Sequence, residues 1–594
     1  MTETKTRDQS EKIYNIGVVI GNIYTSYPQE LIRGISDAAK NFPINIQFFP
    51  GTQSSAFFRG EADVVLKHNF DYQFNTIYDF AVFGDLDAII ISYGTLCIFL
   101  NAEEKADFFK KYEHLPWVVM EETVQQENAS YFISDNYGGI RQIMEHLIVH
   151  HGYRKILYVS GPRENTDAKQ RRQAYLDTMK RYGLTATDDM IIYGDFSQYI
   201  DDEVEDLLLA NPDAEAICCA NDDMAVSVYR VCAKLGRMVG RDIAVTGYDN
   251  LPRSSAMDPP LTTVDQNGYD IGQKAVMAAW QFCIGNCATE NIVSASMVLR
   301  ESCGCGNSEG KLLLKKQENN SLKELVTVLV DQVLETDILK TTSEEVIRPC
   351  RKNLLQIMDY LLEHSIDFAD SEKSSTECVA ALRKILYQTE KLRDRISLFS
   401  LSDVFRELGC LVAEEILSEQ YREKYRQLIS NLRYIQEYFQ NRARYLWEEQ
   451  RIRSERKTWL SPLFMQYLME QGHHEKEALE EAIYGMKQLG IKSSFILLLE
   501  EPFVFETEEV WKCPDKLYVA AYHMGEEVHS YKKEERPVLT RRNGFGQFFR
   551  EGCHMLVAFS LFNLQKQYGV LLCEIEEDEI ASTYVISIQL GTAL

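Results

Sequence analysis

Between residues 13 and 305 short β-branched runs alternate with amphipathic segments, and that alternation restricts the chain to layered α/β architectures. Ile13–Ile20 (IYNIGVVI) is continuously apolar, as expected of a strand buried on both faces of a parallel sheet. Pro28–Lys40 follows at helical spacing, with Leu31, Ile32, Ile35, Ala38 and Ala39 on one side. Ile44–Phe49, Ala88–Ser92 and Trp117–Met120 predict further strands with helices between them. The pattern restarts at Lys155–Ser160, a strand closed by Gly161-Pro162. A helix over 167–182, strands over 190–193, 216–220 and 243–248, and helices over 201–209 and 223–235 complete the second series. Two successive units of this kind predict two doubly wound lobes.

The texture changes after residue 305. Gly and Pro thin out over 306–420, and apolar residues recur at helical spacing through Leu322–Leu334, Val346–Leu362 and Val379–Leu392. Tyr421, Tyr425, Leu428, Leu432, Ile435 and Phe439 are spaced 4, 3, 4, 3, 4, and Leu446 keeps the register. That is an a/d seam, and it predicts a coiled-coil stalk pairing 421–446 of two copies in a homodimer. Residues 461–594 predict an α+β domain: helix 475–489, strands 493–499, 516–522, 554–561 and 568–576, and a closing helix over 581–594. The organisation is thus a polar tail (1–12), a two-lobed α/β domain (13–305), a helical linker and stalk (306–460) and an α+β domain (461–594).

Charge and composition narrow the function. The 594 residues carry 63 Lys and Arg against 89 Asp and Glu, a net charge of −26. Such a chain repels phosphate backbones unless a local basic patch overrides the average. The longest apolar runs fall far short of the ~20 residues of a membrane helix, and the polar start MTETKTRDQSEK lacks the apolar core of a signal peptide. A cytoplasmic location follows as an expectation, with no membrane partner. The 14 cysteines are scattered, many within apolar runs. Cys283, Cys287, Cys303 and Cys305 cluster, but a strand read over Asn291–Arg300 separates the pairs and the spacing is not the usual CxxC, so no metal site is expected. His150-His151 and His473-His474 read as solvated helix-end residues. No GxxxxGK[ST] or HExxH sequence occurs, and no GxSxG nucleophile elbow is read. No enzyme activity and no cofactor are expected.

Open α/β lobes bind ligands beyond the carboxyl ends of their strands. The loops there are polar: Gly21–Tyr27 after the first strand, then Ser134-Asp135-Asn136, Asp167 with Arg171-Arg172, Asn221-Asp222-Asp223, Tyr248-Asp249-Asn250, and Gln266. Carboxylates, amides, an Arg fork and tyrosine faces suit a small polyhydroxylated or similarly polar molecule, with carbohydrates among the candidates. Singly, Asp135, Asn221 or Asp223 reads at least as well as a helix N-cap. Together the loops point to a shared cleft.

The segments SDNYGGIRQIMEHLIVHHGYRKILYVSGP (134–162), CANDDMAVSVYRVCAKLG (219–236), DIAVTGYDNLPRSSAMDPPLTTVDQ (242–266) and LRESCGCG (299–306) resemble the sensor domain of the lactose-repressor/galactose-repressor (LacI/GalR) family. That domain is similar to periplasmic binding proteins of type I, and the resemblance covers about residues 13–305. It implies a ligand held between two lobes. Asp135 would reach it from the first lobe and Arg171, in KQRRQAY, from the second. Asn221, Asp249 and Gln266 would complete the shell. Tyr24 and Tyr27 stand where the family presents aromatic or polar contacts. Lobe crossings are expected near His150–Tyr153, Thr263–Asn267 and Asn291.

Repressors of that family begin with a helix-turn-helix, whereas about twelve polar residues precede the first strand here. The chain therefore resembles the sensor without the DNA reader, and no direct DNA binding is expected. The hairpin sequence MLVAFSLFNLQKQYGVLLCEIE (555–576) resembles the end of a GAF domain. Sensor, helix and GAF-like domain in this order resemble the input half of bacterial signalling proteins that end in a GGDEF diguanylate cyclase, and no GGDEF sequence is present. The expected function is ligand sensing in signal transduction or transcription regulation. The alternatives are a LacI-type regulator reaching DNA through a partner and the sensory fragment of a diguanylate cyclase.

Overall fold

The computed structural model describes residues 12–23, 25–52, 71–97, 102–124, 128–163, 165–286, 291–305, 475–505, 511–549, 555–564 and 566–594, with a few single positions between 351 and 448. The chain divides into two units, Met1–Gly306 with Lys457–Leu594, and Asn307–Arg456. The seam at 421–446 that predicts a homodimer lies outside the described residues except for Tyr445, as does the His473-His474 pair.

The first lobe opens with β1 (Tyr14–Gly21), α1 (Ser26–Ala39) and β2 (Ile44–Gly51). The short α2 (Ile77–Phe80) leads to β3 (Ala88–Ser92), α3 (Tyr93–Leu96), α4 (Ala102–Lys110), β4 (Trp117–Met120) and β5 (Ala129–Ser134). β1, β3 and β4 are buried along nearly their whole length, which is why they read as unbroken apolar runs rather than as alternating ones. They pair in parallel, β1 with both β2 and β3, and β4 with β3 and β5.

The second lobe holds α5 (Asn136–Glu145), β6 (Ile156–Ser160), α6 (Thr166–Arg181), β7 (Ile191–Tyr193), α7 (Asp201–Ala210), β8 (Ala216–Cys219), α8 (Asp222–Lys234) and β9 (Ala244–Thr246). Its four strands run parallel in the order β7-β6-β8-β9. After β10 (Thr263–Asp265) the chain returns through α9 (Gly268–Cys283) and β11 (Ile292–Val293), then crosses back into β12 (Ser296–Val298), which pairs with β10.

The crossings are not all where the sequence puts them. Ile140, Ile143 and Met144 of α5 pack in the second-lobe core, so the first crossing falls at Ser134–Asp135 rather than at His150–Tyr153. Helical periodicity cannot tell which lobe an amphipathic helix will cover. The second crossing is at Gln266–Asn267, inside the expected span. The third is at Ser294, because Asn291–Arg300 is two short strands: β11 pairs with β5, and β12 with β10. The three crossing segments are bonded side by side, through Asp135 N–H to Val293 O (2.9 Å) and the Asn267 amide to Ser294 O.

The C-terminal part contains α10 (Glu475–Gln488), β13 (Ser493–Val504), β14 (Lys516–Met524), β15 (Glu527–Ser530), β16 (Val538–Thr540), β17 (Met555–Asn563), β18 (Lys566–Glu574) and α11 (Ile580–Ala593). β17 and β18 form an antiparallel hairpin, and β18 continues to β13 and β14. This sheet does not stop at its own edge. β17 lies parallel to β2 of the first lobe, Met555 opposite Ile46 and Val557 opposite Phe48, to give one twelve-stranded sheet among the described residues. The pairing covers two edges that would otherwise present open backbone groups. No helix among the described residues is long and apolar enough to cross a membrane.

Candidate functional site

A cavity of about 720 Å³ lies between the two lobes. The first lobe contributes Asn22, Thr25 and Tyr27 beyond β1, Gly94 and Thr95 beyond β3, and Glu121 beyond β4. The second contributes Asn165, Asp167 and Arg171 beyond β6, Asp195, Phe196 and Ser197 beyond β7, and Asn221 and Asp223 beyond β8. Asp249, Leu251, Pro252 and Arg253 follow β9, and Gln266 enters from the crossing. The lining comes from the carboxyl ends of the parallel strands, where backbone geometry opens a crevice.

Of the seven residues named from the sequence, Tyr27, Arg171, Asn221, Asp249 and Gln266 line this cavity together. Tyr24 lies outside the described residues. Asp135 is not among the lining residues: its carboxylate caps α5, accepting the Gly138 N–H at 2.8 Å. With the crossing at Asp135 itself, the side chain turns to the first free N–H groups of the helix it starts. Asn221 has both roles, since its carbonyl oxygen caps α8 at Met224 N (2.9 Å) while the residue borders the cavity.

Arg171 is 3% exposed and organises the second-lobe wall. Its Nε donates to Asn136 Oδ1 at 2.7 Å, and one terminal nitrogen donates to Ala220 O at 2.7 Å and lies 3.5 Å from Asp249 Oδ1. The guanidinium also stacks 3.8 Å above the Tyr248 ring. Asn136 passes the connection on to Asp167 (2.8 Å), and Gln266 donates to Asp249. Asp249 has a positive φ of 114°, which tips its carboxylate toward Arg171 and Gln266. Just behind, the buried Asp222 accepts from Ser254 and Thr263 hydroxyls at 2.6 Å each and from Leu251 N–H at 2.9 Å, pinning the 249–254 loop.

The cavity is rich in carboxyl groups. Burial pushes Asp249 up to about 8, with Arg171 pulling the other way. Burial likewise lifts Glu121 to about 7, opposed by hydrogen bonds from Ser92 and the Gly94 N–H. Asp167 is also raised by burial. The Tyr27 phenol lies well above its ordinary value, first through burial and then through the neighbouring Glu121. Asp223 pairs with Arg253 at the rim. The arrangement offers hydroxyl groups a ring of acceptors, two guanidinium donors, and the faces of Tyr27 and Phe196 for an apolar ring surface.

Sequence reasoning did not single out Glu121, Asp195, Phe196 or Arg253 as cavity residues. Glu121 has φ of 74° directly after β4, a position no motif marks. Phe196, with φ of 68°, sits in a loop whose sequence reads only as a turn.

Residues 144–303 match a family model described as a periplasmic binding protein-like domain. The ribose operon repressor of Escherichia coli (strain K12) is 29% identical over 247 residues, 41% of this chain and 72% of that protein. The HTH-type transcriptional regulator CelR of Thermobifida fusca is 35% identical over 146 residues, 24% of this chain and 42% of its own length. A solved CelR–cellobiose complex covers 48% of this chain and 84% of that one, at 21% identity and a TM-score of 0.40. Together with the two-lobed fold, the family match supports a periplasmic-binding-protein-like domain here, similar to that of LacI-type repressors. By name the two relatives are a repressor and a helix-turn-helix regulator, which runs against the expectation of no direct DNA contact.

Proposed function

We propose that the chain is a cytoplasmic sensor of a small polar ligand, a carbohydrate being the leading class, acting in transcription regulation or signal transduction and having no enzymatic activity of its own. The observation that carries the reading is the interlobe cavity lined by carboxyl, amide and guanidinium groups from both lobes. A ligand bridging Glu121 and Tyr27 on one side to Asp249 and Arg253 on the other favours the closed arrangement of the lobes. Its signal is limited by its differential affinity for closed and open states. A named relative, a ribose operon repressor, supports the sugar class. Residues 306–460 act as a helical linker with a coiled coil at 421–446 that pairs two copies, and 461–594 serve as a GAF-like receiving domain. The β17–β18 hairpin beside β13 and the flanking α10 and α11 support that last assignment.

The test is a thermal-shift screen of the purified chain against pentoses, hexoses, disaccharides and nucleobases, followed by calorimetry of hits. Arg253→Ala should weaken binding by roughly tenfold or more, the cost of about 1.5–3 kcal/mol for a lost charged hydrogen bond, and Asp249→Asn should weaken it by a smaller factor. Unchanged affinity in both variants would remove the cavity from consideration.

A second reading rests on the relatives: a transcription regulator that contacts DNA itself or through a partner. Against it stands the net charge of −26. A mobility shift with operator DNA across a salt series separates the two readings, because direct binding must weaken steeply with salt. Diguanylate cyclase activity in a longer product, read as GTP turnover, would instead favour the sensory-fragment alternative.

A further inference from the structure

Four side chains at the far end of the second lobe converge in a way the cavity does not use. His146 and His151 belong to the end of α5, and Cys303 and Cys305 follow β12. One ligand-capable atom from each lies within 4.8 Å of all the others. The two Nε2 atoms are 3.1 Å apart, and Cys305 Sγ is 3.5 Å from one and 3.3 Å from the other. A tetrahedral zinc ion, with Zn–N of about 2.0–2.1 Å and Zn–S of about 2.3 Å, sets its ligands about 3.3–3.8 Å apart.

Local structure on both sides is shaped to bring the groups together. In a regular helix residues five apart point about 140° away from each other. Here α5 ends in a π turn over His146–His150, closed by the His151 N–H to His146 O bond at 3.3 Å, which swings the two imidazoles onto one face. The opposing Cys-Gly-Cys turn depends on Gly304, whose φ of 99° disfavours any other residue and whose added Cβ would meet Tyr153 Oη at 2.9 Å. Ser302 anchors that turn, donating to Val245 O (2.6 Å) and accepting from Thr262 N–H (2.7 Å). The Tyr153 ring stacks on His151 and its hydroxyl donates to Cys303 O.

We infer that His146, His151, Cys303 and Cys305 form a closed His2Cys2 site for a structural Zn²⁺ ion. Two imidazoles and two thiolates in tetrahedral reach are the donor set zinc prefers, and no position is left open for a substrate. From sequence, these cysteines group with Cys283 and Cys287, His151 reads with His150 as a solvated helix-end residue, and nothing marks His146. The fold exchanges the partners, because Cys283 ends α9 on the first-lobe side. The ion would tie the last residues of the sensor, just ahead of the linker, to the first helix of its second lobe.

The experiment is elemental analysis of tag-free full-length protein, as isolated and after chelation and reconstitution with Zn²⁺ or Co²⁺. About one zinc per chain is expected, with X-ray absorption showing two sulfur ligands near 2.3 Å and two nitrogen ligands near 2.0 Å. The cobalt form should display tetrahedral ligand-field and thiolate charge-transfer bands. Cys305→Ser and His151→Ala should lose the metal, while Cys513→Ser keeps it. Absorption on the unaltered protein reads the ligand set even if a variant fails to fold. Substoichiometric zinc after reconstitution, a Cys303–Cys305 disulfide in its place, or full zinc retention in Cys305→Ser would each overturn the site.

Discussion

The two lobes have the same alternating build but different surroundings. The first shares its sheet with the C-terminal domain through β2 and β17, and both faces of that composite sheet are packed by residues of both parts. On one face Ile46, Phe48 and Ala275 join Leu479, Val557 and Phe559; on the other Phe49, Phe80 and Ile91 join Phe495, Leu556 and Phe545. Trp511 adds a hydrogen bond to Asp79 (2.9 Å) and a ring contact with Phe80. The second lobe has a core of its own, from Ile140 through Cys303, and a four-stranded sheet with no such extension among the described residues. A ligand in the cavity, as proposed, would bridge a lobe fused to the C-terminal domain and a lobe held by its hinge. On that proposal, closing the cleft would move the second lobe against a larger composite body, and the joined sheet would link it physically to residues 475–594 besides the expected helical linker.

The largest effect should come from the junction. Val557 is fully buried opposite Phe48, and Val557→Asp puts an unpaired carboxylate there at a cost of several kcal/mol. Hydrogen exchange should show β1, β2 and β3 losing protection along with β17 and β18, while β6, β8 and β9 keep theirs. Equal loss in both lobes, or an untouched first lobe, would break the comparison.

The complementary disruption is Arg171→Ala. It strands Asp249, Asn136 and the Ala220 carbonyl in a buried wall, a change worth about 3–5 kcal/mol. Protection should fall in β6, β8 and β9 and persist in the composite sheet. Arg171→Lys should restore little, because an ammonium cannot reach Asn136, Ala220 and Asp249 at once or stack on Tyr248. Arg171 therefore serves the fold as well as any ligand, and Asp249→Asn is the cleaner probe of binding.

A smaller effect separates the lobes by pH. Asp249 and Glu121 are both raised by burial, to about 8 and about 7. The folded chain then holds protons that the unfolded chain has released, so stability is highest below the ordinary carboxyl range. It falls as pH rises, through about 7 for Glu121 and about 8 for Asp249. Melting temperatures of the ligand-free protein from pH 5 to 9 should decline. Asp249→Asn should flatten the upper part of that decline and Glu121→Gln the lower part. A wild-type profile that rises over this range would show the carboxyls ionised in the folded state.

How much of this was legible in the sequence depended on how local the signal is. The strands β1, β3, β4, β6 and β8 are apolar on both faces, so composition alone marks them. The polar loops after them were legible for the same reason, and five of the seven named residues meet in one cavity. What escaped depends on tertiary partners. The two-residue β11 and three-residue β12 are too short for periodicity, and their pairing sets the third crossing. The β2–β17 pairing joins residues some 500 positions apart, and no pattern in either strand names the other. Glu121 and Phe196 reach the cavity from positive-φ positions that non-glycine residues rarely take.

The smallest predicted effect tests where the first lobe ends. Asp135 was expected to touch ligand and instead caps α5 at the first crossing, next to the Val293 strand that crosses back. Asp135→Ala removes the side-chain acceptor for Gly138 N–H and should cost about 1 kcal/mol, the usual value of an N-cap. Asp135→Asn or Asp135→Ser, which keep an acceptor, should recover most of it. If the residue is only a cap, ligand affinity in all three variants stays at the wild-type value while the melting temperature of the alanine variant drops. If Asp135 reaches the ligand when the lobes close, the alanine variant loses affinity well beyond its loss of stability, and serine, a good cap with a shorter reach, fails to restore it. The pair of measurements therefore distinguishes a hinge that merely starts a helix from one whose first residue turns toward the cleft as it shuts.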